Sequence, residues 1–380
     1  MEIQQNPVDE RVHAEGEAAR KSLRPALIVS TRTLTEYTTL VRQLLVGMAD
    51  ESIPAALVCP PCLDIESMVP APAALFTHPI LDFPVVKHVG VERLASLLEK
   101  FRPTVLHCLC ESRAGLTRRL AERLNVPYML TVNSLGRRGR GVSISSHRCA
   151  RILVPAETIR SHVVKALPGF ADRIVQINVG SFVDSDTICF SNPSRLPSIV
   201  VAHPLRRVSD FANFFHAIKA LRTDSREFMV VIMGSGPAER PLRKLLVAMG
   251  LSDIVTIVPV LNPWRSVVAA GDIFVQPQPL RAFSAFLLEA MAVGTAVVAC
   301  WGGVDDLIIP NQTAVTFEPG SEPSIRQAVK QLLDDHDCAR RLAATAQEHI
   351  RARHSVSTMI SATLKAYLAA QPPLKTPSYA

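Results

Sequence analysis

The sequence predicts an α/β protein of two doubly wound, Rossmann-like domains facing each other across a cleft. Three observations predict it. Short apolar runs alternate with amphipathic helical stretches from Pro25 to Asn178, and the alternation restarts at Ser198. A polar, Pro-bearing stretch over 185–197 separates the two series. The chain has 380 residues, more than the roughly 250–300 at which a single hydrophobic core stops growing.

In the first half, a strand over 26–30 precedes a helix over 35–50, where Leu40, Leu44, Leu45 and Met48 recur at helical spacing. The apolar run 55–59 is a strand, and 60–83 are Pro-rich and irregular. A helix over 91–100, a strand over 104–109, a helix over 113–124 and a strand over 127–132 follow. Strands over 151–155 and 173–178 flank a helix over 157–166. The second half repeats the scheme with strand 198–203, helix 211–221, strand 228–233, helix 238–250, strand 254–258, helix 263–270 and strand 273–276. A helix from Ser284 to Gly294, strands over 295–299 and 314–317, and helices over 321–335 and 337–350 complete it. Strands joined by helices in this way run parallel.

The expected organisation is a disordered leader over 1–22, an N-terminal domain over 23–184, the linker 185–197 and a C-terminal domain over 198–352. A last segment over 353–380 carries a helix that packs back toward the N-terminal domain, then a loose Pro-rich tail. The leader holds Glu2, Asp9, Glu10, Glu15 and Glu17 with almost no apolar run, unlike a signal peptide.

At 48% hydrophobic and 20% charged residues the composition is that of a soluble globular protein. The net charge of +7 favours an acidic or phosphorylated ligand or an anionic surface. With 5% aromatic residues and no basic–aromatic stripe, no nucleic-acid partner is expected. The apolar run 282–300 contains Glu289 and Gly294, and so reads as helix plus strand rather than a membrane span. Eight cysteines in so long a chain do not make a disulfide framework, which points to a reducing cytoplasm. Cys59-Pro60-Pro61-Cys62 has a known ligand spacing, but with Cys108 and Cys110 it is better read as buried structural thiols, one of that last pair near the strand edge.

The most informative stretch is 272–309. Strand, helix and strand make a βαβ unit, which puts the loop 277–284 at the carboxyl edge of the sheet, where ligands of open α/β sheets bind. Ser284 is a suitable N-cap, leaving the amides of Ala285 and Phe286 to meet an anion such as a diphosphate. Glu289 is the only charge in 282–300, and such a carboxylate is either paired, functional or on a solvated helix face.

From Phe283 onward, with Glu289, Ala290-Met291-Ala292, Gly294, an apolar strand, Gly302-Gly303 and Asp306, this stretch resembles the signature of the retaining glycosyltransferases of family four, which have the GT-B fold. That signature places a first Glu eight residues before the second. Glu289 stands at the second position, and Arg281 stands in place of the first. The resemblance extends over 25–350. It includes Val105-Leu106-His107, the run from Val126 to Asn133, the run from Arg173 to Gly180, and Gly234-Ser235-Gly236-Pro237 followed by a helix. It implies a donor-binding C-terminal domain and an acceptor-side N-terminal domain, with Glu289 holding the nucleotide ribose.

It also implies roles for further residues. Gly234 and Gly236 floor the donor cleft. Family members carry an Arg and a Lys after the first strand of the second domain, to neutralise the departing diphosphate. Here Pro204 and Ser209 fall at those places, and Arg206 or Arg207 would serve as the clamp. The Gly-Gly loop of the first βα turn is replaced by a turn from Thr31 to Glu36, with Arg32 and threonines as side-chain donors. His107 and Asn133 face the cleft for the donor or acceptor sugar, although His107 at a strand end is equally compatible with no chemical role. Arg281 would meet the donor sugar or its phosphate.

The expected activity is therefore transfer of a sugar, with retention, from a nucleotide-diphosphate sugar to a saccharide or lipid-linked acceptor, without metal or other cofactor. The basic stretch 136–151, holding Arg137, Arg138 and Arg140, is the expected peripheral membrane or anionic-acceptor contact at the inner face of the membrane. From a different class, a homologue that keeps the fold, has lost catalysis and serves as a binding partner would also carry these altered positions.

Overall fold

The computed structural model describes residues 20, 22–61, 69–78, 84–136, 143–260 and 264–371, the side chains of 84–88 excepted. The chain divides into two compact units, 1–178 with 356–380, and 179–355.

The first unit is a seven-stranded parallel sheet in the order β3-β2-β1-β4-β5-β6-β7. Its strands are β1 (Pro25–Ile28), β2 (Ala56–Cys59), β3 (Ala74–Thr77), β4 (Val105–Cys108), β5 (Tyr128–Thr131), β6 (Cys149–Val154) and β7 (Ile174–Gln176). Its helices begin with α1 (Thr31–Glu36), α2 (Thr38–Asp50), α3 (Pro84–Phe101), α4 (Ala114–Leu124) and α5 (Glu157–Ala166). Ala26 on β1 registers with Ala56 on β2 and with Leu106 on β4. β1, β2, β4 and β5 are buried along their whole length, so their sequences are continuous apolar runs rather than alternating ones.

Two expectations are corrected here. The stretch 31–36, read as an open turn, is helix α1: Ser30 caps it by accepting from the Thr33 amide at 3.1 Å, and the helical stretch breaks at buried Tyr37 before α2 starts. The stretch 60–83 contains strand β3, which escaped notice because an edge strand with half-exposed side chains carries no buried apolar run.

The second unit is a six-stranded parallel sheet in the order β10-β9-β8-β11-β12-β13. The strands are β8 (Ser198–Ala202), β9 (Met229–Met233), β10 (Val255–Val258), β11 (Ile273–Gln276), β12 (Ala296–Cys300) and β13 (Val315–Phe317). The helices are α6 (Ala212–Thr223), α7 (Glu239–Met249), α8 (Arg265–Ala269), α9 (Ala285–Ala292), α10 (Glu322–Asp334) and α11 (His336–Arg353). One core packs Ile199, Val201, Ile273 and Val275 of the sheet against Phe214, Phe215 and Ile218 of α6 and Val329 and Leu332 of α10. Each such side chain contributes about 1.5–3 kcal/mol on burial.

Asp272 fastens the segment 185–197 to this unit. Its carboxylate accepts from the amides of Phe190 (2.8 Å) and Ser198 (2.9 Å), the Ser198 hydroxyl (3.0 Å) and the Arg195 guanidinium (2.6 Å). After α11 the chain returns to the first unit as α12 (Val356–Ala370), which lies on α2. Gly47 allows this approach, since a Cβ there would meet the Ile360 side chain at 2.2 Å.

Candidate functional site

Counted within each unit, the strands lie in the order 3-2-1-4-5-6, with a seventh added in the first unit. The connections reverse direction between the first and fourth strands, and ligands of such sheets bind in the crevice outside the carboxyl ends at that point. In the second unit the crevice lies between the loop after β8, which holds His203 to Arg207, and the loop after β11, which runs to Ser284.

The second loop leads directly into α9. Ser284 has an extended backbone, and its hydroxyl accepts from the Leu287 amide at 3.1 Å. The amides of Ala285 and Phe286 come before any carbonyl of the helix they could bond, and they point out of its positive end. The carboxyl edge of the sheet thus presents two oriented N–H groups.

Glu289 sits one turn further along α9 and is 2% exposed, which excludes the solvated helix face. Its carboxylate pairs with the guanidinium of Arg265, the first residue of α8. Arg265 also donates to the Ser181 hydroxyl (3.3 Å), the Phe182 carbonyl (2.7 Å) and Asp184 (2.9 Å). Burial pushes the Glu289 carboxyl above the usual carboxylate range, while Arg265 and a hydrogen bond from Ser181 pull it back and Asp184 opposes them. Sequence reasoning missed Arg265 and offered no signal for it: a cation in a short helix, twenty-four positions from its partner, is indistinguishable from a solvated one.

Gly234 and Gly236 are needed by the protein itself. A Cβ on Gly234 would stand 2.2 Å from the His203 carbonyl oxygen, and one on Gly236 would stand 2.2 Å from that of Leu205. The Leu205 amide donates to Ser235 (3.2 Å) and the Ala238 amide to Leu205 (3.0 Å), so the loops after β8 and β9 are stitched together. Beside them, Arg207 is 77% exposed at its side chain and pairs with Asp210 at 3.0 Å. Arg206 is exposed and makes no ion pair among the described residues.

Arg281 is exposed on the loop before Ser284. That loop is held from the other side by the paired glycines: Val304 donates to the Leu280 carbonyl at 2.7 Å, and a Cβ on Gly303 would meet the same oxygen at 2.3 Å. The amides of Gly302 and Gly303 both donate to Asp305 (2.9 and 3.0 Å), so Asp305 closes this turn.

In the first unit, His107 is 2% exposed. Its Nδ1 bonds the Tyr367 hydroxyl and its Nε2 the Thr131 hydroxyl, both at 2.8 Å. Burial pushes the imidazole down to about 3, so the ring is neutral and ties β4 to β5 and α12. With both nitrogens engaged, His107 is not presented to a sugar. Asn133 is committed on one side only: its side-chain NH2 donates to Leu109 at 2.9 Å and its backbone amide to Glu111 at 3.0 Å, while its buried Oδ1 makes no hydrogen bond among the described residues. Arg32 pairs with Glu36 at 2.8 Å. Cys108 and Cys110 are both buried, with neither at the exposed edge. Cys62, Arg137, Arg138 and Arg140 lie outside the described residues. Among the described residues no group of three or more His, Cys, Asp or Glu is arranged to hold a metal ion, and no helix is long and apolar enough to cross a membrane.

Residues 197–335 match the family model described as Glycosyl transferases group 1. The chain is 32% identical over 147 residues to an alpha-D-kanosaminyltransferase of Streptomyces kanamyceticus, covering 38% of each chain. It is 23% identical over 221 residues to a 2-deoxystreptamine glucosyltransferase of the same organism, covering 56% of this chain and 57% of that one. The matches thus span well under two thirds of those relatives. Among solved structures, a glycosyltransferase from Rickettsia africae superposes with a TM-score of 0.73 at 15% identity, over 92% of this chain and 98% of the other. An Anabaena protein solved in complex with UDP and glucose superposes with a TM-score of 0.75 at 12% identity, over 90% and 98%. The two parallel-sheet units are therefore a GT-B fold, with residues 197–335 matching the glycosyl transferases group 1 model.

Proposed function

We propose that this chain is a glycosyltransferase that moves a sugar from a nucleotide-diphosphate donor to a saccharide or lipid-linked acceptor with retention, and that 179–355 bind the donor. The observation that carries the proposal is the buried, ionically held carboxylate of Glu289, one turn behind the open amides of Ala285 and Phe286 at the sheet's switch point. A carboxylate accepts two adjacent hydroxyls, as a ribose offers, while a helix N-terminus receives phosphate. The group 1 match over 197–335 and the likeness to an Anabaena protein solved with UDP-glucose support the same donor class.

In this proposal the bond between C1 of the sugar and the phosphate oxygen breaks, and the acceptor oxygen bonds C1 on the same face. The acceptor proton passes to the departing phosphate oxygen. The protein supplies position and charge stabilisation, with no protein nucleophile and no metal. The amides at 285 and 286 and the exposed cation of Arg206 meet the growing charge on the diphosphate, with Arg207 alongside. Arg281 faces the sugar, where a cation suits an acidic or phosphorylated group. The basic segment 136–151 would meet an anionic acceptor, at the inner face of the membrane if that acceptor is a lipid. His107, held between two hydroxyls, takes no part.

Calorimetry with UDP-, GDP-, ADP- and TDP-sugars tests this. Saturable binding of at least one, lost in Glu289→Ala, is the expected result. No heat with any of them in the wild-type chain would sink the proposal. Arg281→Glu then separates two cases: activity that falls marks Arg281 as adapted to its own sugar, and activity that rises marks a position that had lost its carboxylate.

A further inference from the structure

We infer that Arg265 is the positioning residue of the donor site: it fixes the Glu289 carboxylate, and keeps it a bare acceptor, for the paired hydroxyls of a nucleoside. This rests on the donor-binding role proposed for Glu289 and adds a residue that lies outside the signature stretch.

The geometry carries it. Glu289 stands on a helix whose eight residues are all buried, a setting in which a carboxylate otherwise takes up a proton. A protonated carboxyl donates through one oxygen and loses part of its acceptor capacity, so it cannot receive two hydroxyls side by side. Arg265 comes from α8 and reaches Glu289 with one arm of its fork, while the other arm is fixed on the Phe182 carbonyl (2.7 Å) and on Asp184 (2.9 Å). Asp184 is in turn tied back by its own amide to the Ala292 carbonyl at the end of α9 (3.1 Å). The guanidinium is thus anchored on a segment other than the one it serves, and a planar, pre-oriented fork does this where a flexible ammonium would not.

Among the described residues no second cation bears on Glu289. The groups that bear on Glu289 are Arg265 from α8 and Ser181 and Asp184 from the 181–184 segment. Arg351 of α11 donates to the Asp184 carbonyl at 2.7 Å, and His354, which receives the Ser181 amide on its carbonyl, turns its ring to the Val179 carbonyl. Burial pushes the Glu289 carboxyl up, Arg265 is the main influence pulling it down, and Asp184 pushes it up again. Without Arg265 the carboxyl therefore takes up a proton more readily.

The test is calorimetric titration of the full chain with UDP-glucose and with GDP-mannose, neither of whose diphosphates titrates between pH 6 and pH 8, across that pH range for wild type, Arg265→Gln, Arg265→Lys and Glu289→Gln. The wild type is expected to bind one of the two with a flat pH profile. Arg265→Gln is expected to bind more weakly and to lose further affinity as the pH falls from 8 to 6 and Glu289 takes up its proton. Arg265→Lys keeps the charge without the fork, giving weaker binding with a flat profile. Adding Arg265→Gln to Glu289→Gln is expected to introduce no pH dependence. If Arg265→Gln binds with the wild-type Kd and a flat profile, or its pH dependence persists in the Glu289→Gln background, the inference fails while the donor site stands. Should Arg265→Gln lose its far-UV circular dichroism, Arg265→Lys decides alone: the wild-type Kd overturns the inference. Silence of the wild type toward both nucleotide sugars overturns the donor site, and this inference with it.

Discussion

The hydroxyl of Tyr367 stands 2.8 Å from Nδ1 of His107, across 260 positions of sequence, with both groups buried. The final helix is thereby bonded to the central strands of the first sheet. Tyr367→Phe removes one partner and leaves a buried ring nitrogen unsatisfied, at a cost of about 1–3 kcal/mol. Urea unfolding followed by circular dichroism measures it. A loss below a few tenths of a kcal/mol would mean that water replaces the hydroxyl freely.

Acid should destabilise the chain through its buried histidines. Burial holds His107 at about 3 and His203 at about 4, both below the ordinary value of about 6.5. The folded state therefore binds fewer protons than the unfolded chain. Their contribution is fully present above about pH 6.5 and is lost as pH falls through the window down to each folded value. By pH 4.5 each histidine withdraws roughly 2–3 kcal/mol. Denaturant midpoints measured from pH 7.5 to 4.5 should fall, and in His107→Gln the slope should be visibly shallower; an unchanged slope would show that His107 does not drive it.

The two halves of the Arg265–Glu289 pair should not be equivalent in stability. Glu289 is almost fully buried, whereas the Arg265 side chain is 26% exposed and keeps Asp184, Ser181 and the Phe182 carbonyl when Glu289 is neutralised. Arg265→Gln strands a buried carboxylate and is expected to cost roughly 1–3 kcal/mol, below the full buried-pair range because of that exposure. Glu289→Gln should cost less. Thermal unfolding at pH 7.5 ranks the two, and the reverse order would mean the carboxylate is already protonated.

Glycine substitutions should separate sharply by position. Gly303→Ala puts a methyl 2.3 Å from the Leu280 carbonyl oxygen, a backbone atom that must move together with the loop carrying Arg281. The expected loss is roughly 1–3 kcal/mol, accompanied by weaker nucleotide binding. Gly115→Ala, early in α4 with nothing within 4 Å of the added carbon, should gain roughly 0.5 kcal/mol. Melting temperatures of the two variants check the contrast.

The architecture was legible because parallel sheets are covered on both faces. Strands such as β1 and β11 then read as unbroken apolar runs, and the helices between them show their stripes. The start of α9 was legible for a local reason, a serine whose hydroxyl reaches the amide three residues ahead. The GT-B resemblance followed from the same stretch, 283–306. Strand β3 was not legible, since an edge strand with half-exposed side chains needs no apolar run. Nor was the break at Tyr37, whose backbone (φ -125°, ψ 29°) leaves the helical region between α1 and α2.

The sequence by itself determined most of the segments that become strands and helices, β3 and α1 excepted, because those signals lie within a few residues of one another. It also determined that a carboxylate would sit in an apolar helix at 289, and that something would have to compensate its burial. Only the tertiary structure decided what does so. Arg265 meets Glu289 because α8 and α9 pack together, Gly234 is required because the loop after β8 crosses it, and His107 is occupied because α12 returns to the first sheet. Contacts between segments far apart in the chain depend on how whole elements pack, and no short window of residues encodes them.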